Sequence, residues 1–456
     1  MSAAESPTLS AAGGTAPSQG GALPRVLAGV HEGVLDLYKH LDVHGPLPAW
    51  HAGRTWRGKA GESPLIEETF RAGVLGRGGA AFPLARKLHA VARARGTAIV
   101  IANGTEGEPA SQKDRTLLAL TPHLVLDGTI AAAEAVGATE AIVAVCELAE
   151  DCVRSLELAI AERESAGKAP HEPSLSLATA PGHYVAGQET ALVSYLDGGA
   201  ALPTFTPPRP YERGVARRPT LVSNVETLAQ LALVARHGAS WYRALGTPAS
   251  AGSALVTLSG PVASPGVYEI ELGASLASLL NAAGGTTAAV RGVLVGGYAG
   301  SFVSGARLRD LALSDEHLAA HGARIGAGVV ALLSEDACPV AETARLSRWM
   351  AGQSSRQCGP CEHGLDAIAE AVADIAHGQA RESRLAQLSA LVTRRGACGH
   401  PDGTAAAVLS AVAVFKDEFD AHARHGLCER CPTPPELPFP RQPVTTETAR
   451  RRTAGA

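Results

Sequence analysis

The sequence predicts an α/β protein of several domains that ends in a helical bundle, and three observations carry that expectation. The chain has 456 residues, more than one ordinary core accommodates. Short β-rich runs alternate with Ala-rich helical stretches up to about residue 245, and from about residue 336 the pattern becomes almost wholly helical. Hydrophobic residues make up 46% and charged residues 18%, a globular balance. The formal net charge of −4 excludes nucleic acid as a partner, because binding phosphates needs clustered Lys and Arg.

Residues 1–63 form a polar leader and a connecting helix. Positions 1–23 are rich in Ala, Gly, Ser and Pro and lack both a basic start and an apolar run, so no secretory signal is expected. Positions 26–41 have helical spacing, and 46–63 form a connection with Gly, Pro and Arg. Residues 64–250 read as an α/β sheet domain, with β-rich runs at 98–102 and 140–145 and a helical stretch at 124–135. Within it, 202–219 is dense in Pro and Arg and is expected as a surface loop. Residues 251–335 give strand, turn, strand, helix and strand, a second and smaller α/β fold. Residues 336–425 form the helical unit, and 426–456, rich in Pro, Thr and Arg, are expected to be a disordered tail. The longest apolar runs fall short of the roughly 20 residues needed to span a bilayer. The expectation is therefore a cytoplasmic chain with no membrane insertion and at most peripheral association.

Four loops carry chemistry. Gly76 to Phe82, GRGGAAF, precedes a helix containing Lys87 and places small residues where backbone must approach a flat or phosphorylated ligand. Taken alone, such a loop suits a tight turn before a helix equally well. Asn103 to Pro109, NGTEGEP, follows a strand-like run, and the C-terminal ends of strands are where open α/β sheets bind ligands. The segment from Gly182, GHYVAGQETAL, and the SNVET segment with Asn224 and Thr227 add polar groups at expected helix starts, suited to a phosphate. Asp114 and Arg115 read as a structural ion pair or a cap. Eight cysteines are too sparse for a disulfide scaffold, and two CxxC pairs favour metal or redox chemistry in a reducing compartment.

With these motifs in order, the chain resembles the NADH-binding flavoprotein subunit of respiratory complex I and its relatives in NAD-linked hydrogenases and formate dehydrogenases. The resemblance runs from about residue 64 to 419. It implies an FMN-binding α/β domain, a ubiquitin-like domain of the soluble-ligand-binding type, and a helical bundle holding a [4Fe–4S] cluster. It also implies an oxidoreductase that passes electrons from NADH through FMN to the cluster, and on to an iron–sulfur or ferredoxin-like partner subunit. The residues that match FMN contacts are Gly76, Gly78, Lys87, Asn103, Glu106, Tyr184, Gly187, Glu189, Asn224 and Thr227. Glu108 matches a residue near the nicotinamide, and Glu108 and Glu189 would orient the dinucleotide. Phe82 is a retained aromatic of the dinucleotide side.

The chain departs from the family in places. Thr105 stands where an aspartate is expected and Gln188 where a glutamate is expected, so a raised flavin potential follows from the missing charge. Two aromatic positions are Ala90 and Arg209, and each lost stack would weaken dinucleotide binding by about 1 kcal/mol or more. The cluster ligands carried over are Cys358, Cys361 and Cys398, with Ser355 in the fourth place. Ser355 binding through oxygen, an outside ligand, a three-iron cluster and no cluster are all open. Cys428 and Cys431 are open between a redox pair, a zinc half-site, one half of an intersubunit site and an inert pair; Cys338 is expected to pack in the core. Two other readings stand beside the dehydrogenase: an FMN and iron–sulfur carrier that does not use NADH, and a redox-inactive scaffold.

Overall fold

The computed structural model of the protein describes residues 23–50, 63–167, 172–380 and 382–439. The polar leader up to residue 22, the connection at 51–62 and the end of the tail at 440–456 lie outside the described residues.

The first unit contains α1 (Leu37–His44), α2 (Pro64–Ala72), α3 (Leu84–Ala92), β1 (Ile99–Gly104), α4 (Lys113–Leu120), α5 (Pro122–Val136), β2 (Glu140–Cys146), α6 (Glu150–Ala166), β3 (Ser174–Ala180), α7 (Glu189–Leu196), β4 (Thr220–Asn224) and α8 (Val225–Tyr242). Its four strands are all parallel, in the order β3-β2-β1-β4. A parallel sheet needs helical crossovers and is covered on both faces, so its central strand is a continuous apolar run; Ile99, Val100, Ile101 and Ala102 of β1 are all buried. The helix expected over 26–41 is shorter. A single 3-10 turn at Val30–Glu32 precedes α1, and glycines with positive φ, Gly29 and Gly33, bound that turn.

Helix α5 crosses the back of the sheet almost fully buried. It lies so close to α8 that a Cβ on Gly128 would stand 1.8 Å from the carbonyl oxygen of Leu228. Asp127 on α5 is the hub of this layer. It accepts hydrogen bonds from His40 Nε2 at 2.6 Å, from Arg163 at 2.5 Å and from Arg236. Burial alone would raise its pKa, but those three partners outweigh it and hold the carboxyl well below the usual range.

The second unit contains β5 (Ser253–Ser259), β6 (Gly266–Glu271), α9 (Leu276–Ala282), β7 (Val290–Val295), β8 (Ser301–Ser304), α10 (Asp315–Ala319) and β9 (Val329–Ser334). The sheet order is β6-β5-β9-β7-β8, with β5 and β9 parallel and the other pairs antiparallel. This is the ubiquitin-like arrangement. Glu269 of β6 reaches back to the N-terminal segment. Its carboxylate accepts from the amides of Arg25 at 2.8 Å, Val26 at 2.9 Å and Leu27 at 3.1 Å, and from Ser253 Oγ at 2.6 Å.

The third unit is helical: α11 (Pro339–Gly352), α12 (Leu365–Ala376), α13 (Glu382–Val392), α14 (His400–Val414) and α15 (Lys416–His425), with a π turn at Pro360–Gly364 leading into α12. Ile368, Val372, Ile375, Phe415 and Phe419 fill its interior. The tail expected from residue 426 onward is ordered in its first part. Leu437 is buried, Glu436 accepts from the amide of Ser334 at 2.7 Å, and Tyr298 donates to the carbonyl of Pro438 at 2.7 Å. Composition suggests a tail because this segment forms no regular element; side-chain anchors hold it instead. Among the described residues no single helix is long and apolar enough to cross a membrane.

Candidate functional site

A cleft of about 680 Å³ opens at the C-terminal ends of β1 and β4, the edge where open parallel sheets bind ligands. The loop from Gly76 to Phe82 forms one wall. It is pinched at its base, where the Gly76 amide donates to the Phe82 carbonyl at 2.9 Å and the Leu84 amide to Val74 at 2.9 Å. Gly78 lies against Asn224: an added Cβ would stand 3.2 Å from the Asn224 Cβ. The amide of Arg77 donates to Thr227 Oγ1 at 2.8 Å, which ties the loop to the first turn of α8. Asn224 caps that helix, its Oδ1 accepting from the Glu226 amide at 3.0 Å.

The opposite wall comes from the turn before α7. Asn103 Nδ2 donates to the Gly187 carbonyl at 2.7 Å, and a side chain at Gly187 would collide with Thr105 Oγ1, 2.4 Å from the Cβ position. Lys87 Nζ reaches across to Glu189 Oε2 at 3.2 Å and to the Val222 carbonyl at 3.1 Å. Nine of the residues singled out in the sequence therefore meet around one opening: Gly76, Gly78, Phe82, Lys87, Asn103, Gly187, Glu189, Asn224 and Thr227. Beneath it lies a buried charge network. Lys113 pairs with Asp114 at 2.6 Å and with Glu226 at 3.0 Å; burial disfavours its charge, but the surrounding carboxylates outweigh that and raise its pKa. Asn224 Nδ2 donates to Asp114 at 2.6 Å. Asp114 thus pairs with Lys113 rather than with Arg115, whose partner is Asp151 at 2.9 Å.

Glu106, Glu108 and Tyr184 do not line this cleft. The Glu106 carboxylate caps α4, accepting from the amides of Asp114 at 3.0 Å and Arg115 at 2.9 Å and from Ser111 Oγ at 2.6 Å. Glu108 turns toward the second unit. It accepts from the amide of Tyr298 at 2.8 Å and that of Ala110 at 3.2 Å, and the absence of a Cβ at Gly297 makes room for it. Both carboxylates face a smaller neighbouring pocket of about 280 Å³. Burial pushes the Glu108 carboxyl up to about 7, against the pull of those two amides. Tyr184 leaves the cleft for the helical unit, edge-on to Trp349 at 5.6 Å and 5.3 Å from the ring of His400.

Tyr211 and Arg86 in the lining do not stand out as site residues in the sequence, whereas Gln188 and Arg209 are two of the departures from the family pattern. Tyr211, two places after Arg209 in the Pro-rich loop, brings an aromatic ring to the lining, as do Arg86, Gln188 and Arg209 their polar groups. Arg86 sits with its guanidinium carbon 5.5 Å from the centre of the half-exposed Phe82 ring. An aromatic in a loop of prolines and arginines is the available signal for Tyr211.

The second candidate centre lies at the end of α11. Ser355 and Cys361 are both buried, with Ser355 Oγ 3.8 Å from Cys361 Sγ. Cys358 packs against the same cluster. Cys398 arrives from the loop before α14; burial, and the neighbouring thiols of Cys361 and Cys358, push its own thiol up to about 11. Three thiols and a hydroxyl from loops and helix starts fit an iron–sulfur cluster with one non-thiolate corner. The cleft fits FMN by the same kind of test: a wall of glycines with no room for a Cβ at Gly187, the start of α8 at Asn224, and a lysine in the lining.

Comparison with known proteins follows the same division. Residues 70–233 match the Nuo51 FMN-binding domain, residues 255–297 the SLBB domain, and residues 341–422 the NADH-ubiquinone oxidoreductase-F iron-sulfur binding region. The chain is 31% identical over 382 residues to the F 2 subunit of NADH-quinone oxidoreductase of Rhizobium meliloti, covering 81% of this chain and 90% of that one. It is 32% identical over 373 residues to the F subunit of the same oxidoreductase of Mycobacterium tuberculosis, covering 78% and 84%. The NADP-reducing hydrogenase subunit HndC of Solidesulfovibrio fructosivorans is 28% identical over 378 residues, 80% of this chain and 77% of that one. Among solved structures, an NAD+-reducing [NiFe]-hydrogenase in the H2-reduced state superposes with a TM-score of 0.72 at 33% identity, over 79% of this chain and 63% of that chain. With its FMN-binding, SLBB and iron–sulfur regions in the same order, the chain belongs to the family of the NADH-quinone oxidoreductase F subunits.

Proposed function

We propose that the chain oxidises a reduced nicotinamide at the glycine cleft and delivers the electrons through the cysteine site at 355–398 to an iron–sulfur or ferredoxin-like partner subunit. The observation that carries this reading is the meeting of four sequence-distant loops around one cleft, with Tyr184, outside the lining, in ring contact with His400 at the start of the helix that follows Cys398. FMN bound in the cleft would supply a carrier that takes two electrons as hydride and gives them up singly.

The protein's own work is to bind, orient and exclude water. The loop from Gly76 and the capped start of α8 offer backbone amides to an anionic group. Lys87 adds a positive charge, and Asn103 a polar contact. Glu189, held by Lys87, orients the dinucleotide, and the rings of Phe82 and Tyr211 offer stacking faces where the aromatic positions at Ala90 and Arg209 do not. Glu108 acts from behind, fixing the acidic loop against the second unit. Ser355, Cys358, Cys361 and Cys398 hold the cluster. The place of work is the cytoplasm, as a peripheral subunit of a larger complex.

Ala90 and Arg209 in the lining favour a second reading, a carrier fed by a protein rather than by NADH. An anaerobic absorbance spectrum before and after NADH separates the two. Bleaching of flavin bands with a fall in the broad cluster absorption is expected; a response to dithionite alone would transfer the assignment to the protein-fed carrier.

A further inference from the structure

The strongest unassigned cluster lies at the far end of the helical unit. Cys338 at the start of α11, His422 in the last turn of α15, and Cys428 and Cys431 in the segment after it bring their ligand atoms within 4.8 Å of one another. Three of the four lie outside the matched iron–sulfur region of residues 341–422, and none belongs to the Ser355–Cys398 set. Cys338 and His422 are buried.

The distances discriminate between possible occupants. A tetrahedral Zn²⁺, with Zn–S of about 2.3 Å and Zn–N of about 2.0–2.1 Å, sets its ligands roughly 3.8 Å apart for S···S and 3.6 Å for S···N. In the structure the sulfurs of Cys338 and Cys431 are 3.7 Å apart and those of Cys428 and Cys431 3.6 Å apart. His422 Nε2 is 3.4 Å from Cys338 Sγ and 3.9 Å from Cys431 Sγ. A four-iron cluster holds its outer thiolates farther apart than one ion does. A disulfide between Cys428 and Cys431, at about 2.05 Å, would leave Cys338 and His422 without a role.

The surroundings supply what such a ligand set needs. The other ring nitrogen of His422, Nδ1, is 3.1 Å from the Ala376 carbonyl; donating there fixes the tautomer that leaves Nε2 free to ligate. The amide of Ala341 donates to Cys338 Sγ at 3.4 Å, which fixes the direction of that sulfur. We propose that Cys338, His422, Cys428 and Cys431 form a structural Zn²⁺ site, of the three-cysteine, one-histidine type. Its four protein ligands leave no open position, so its role is to fasten the C-terminal segment and α15 to the head of α11. Binding releases thiol protons and couples the fold of this end of the bundle to the metal.

The test uses the full chain, purified without oxygen, with zinc and iron measured on the same sample. About one zinc per chain is expected in addition to the cluster iron. Cys431→Ser and His422→Ala should lose the zinc, while Cys358→Ser should lose iron and keep it. Because those variants can misfold, X-ray absorption at the zinc edge of the unaltered protein is the independent readout, with three sulfurs and one nitrogen expected. Zinc below about 0.1 per chain after incubation with Zn²⁺ and dialysis, a single iron in its place, or a Cys428–Cys431 disulfide in freshly isolated protein would each overturn the assignment.

Discussion

Gln188 stands at the N-cap of α7, its Oε1 accepting from the amides of Thr190 at 2.8 Å and Ala191 at 3.0 Å. A carboxylate could make the same bonds, so Gln188→Glu keeps the cap and adds one negative charge beside the cleft. The flavin potential is expected to fall by tens of millivolts, the order expected of one partly buried unit charge; a redox titration reads it, and an unchanged potential would refute charge tuning at this position. Glu108 gives a pH signature. Its folded pKa is raised to about 7 from 4.5, so the folded state holds the proton more tightly than the unfolded chain. The associated stability is complete below about pH 4.5 and is lost as pH rises through 7, a change on the order of 3 kcal/mol. Glu108→Gln should flatten the fall in urea midpoint between pH 5 and 7.5 relative to the unaltered protein, and an equal slope in both would discount Glu108 as the source. The cleft glycines, Lys87 and Asn224 are legible in the sequence because their motifs sit at strand ends and helix starts. The directions of Glu106 and Glu108 are not, since a loop's sequence does not say which neighbour it will face. Cys338 and His422 are 84 residues apart, and only tertiary closure puts them together.

At the scale of elements, the tight crossing of α5 and α8 depends on Gly128. Its missing Cβ is replaced in space by the Leu228 carbonyl, and backbone cannot yield as a side chain does. Gly128→Ala is expected to destabilise by about 3 kcal/mol or more, at the upper end of overpacking costs, with a lowered melting temperature; a change under about 0.5 kcal/mol, the range of neutral surface substitutions, would show that the helices can slide apart. The parallel strands are readable because their apolar runs alternate with Ala-rich helices, and β1 and β2 fall within two residues of the expected runs. The helix expected over 26–41 is too long. Periodic apolar spacing continues through it, but Gly29 and Gly33 adopt left-handed φ that an α-helix cannot hold. The ordered part of the tail escapes sequence reading for the opposite reason: it has no period, and its fixed points, such as Glu436 on Ser334, are single contacts.

Across the whole molecule, the N-terminal segment belongs to two units at once. Val26 is buried in the core of the first, while its amide and those of Arg25 and Leu27 end on Glu269 of the second. Glu269→Ala removes the acceptor for three buried amides, and each stranded donor costs about 1–3 kcal/mol. Accelerated proteolysis near residue 25 and loss of several kcal/mol of stability are expected, whereas a protease pattern like that of the unaltered chain would mean that water reaches those amides. This clasp bears on how the protein can be dissected. A fragment that stops near residue 250 would carry the entire parallel sheet, the glycine cleft and the packing of Val26, yet would leave the amides of Arg25, Val26 and Leu27 without their acceptor. The boundary between the first two units is thus a seam in sequence but not in construction, and a minimal flavin-binding fragment would have to retain β5 and β6, or bring a substitute acceptor for those three amides.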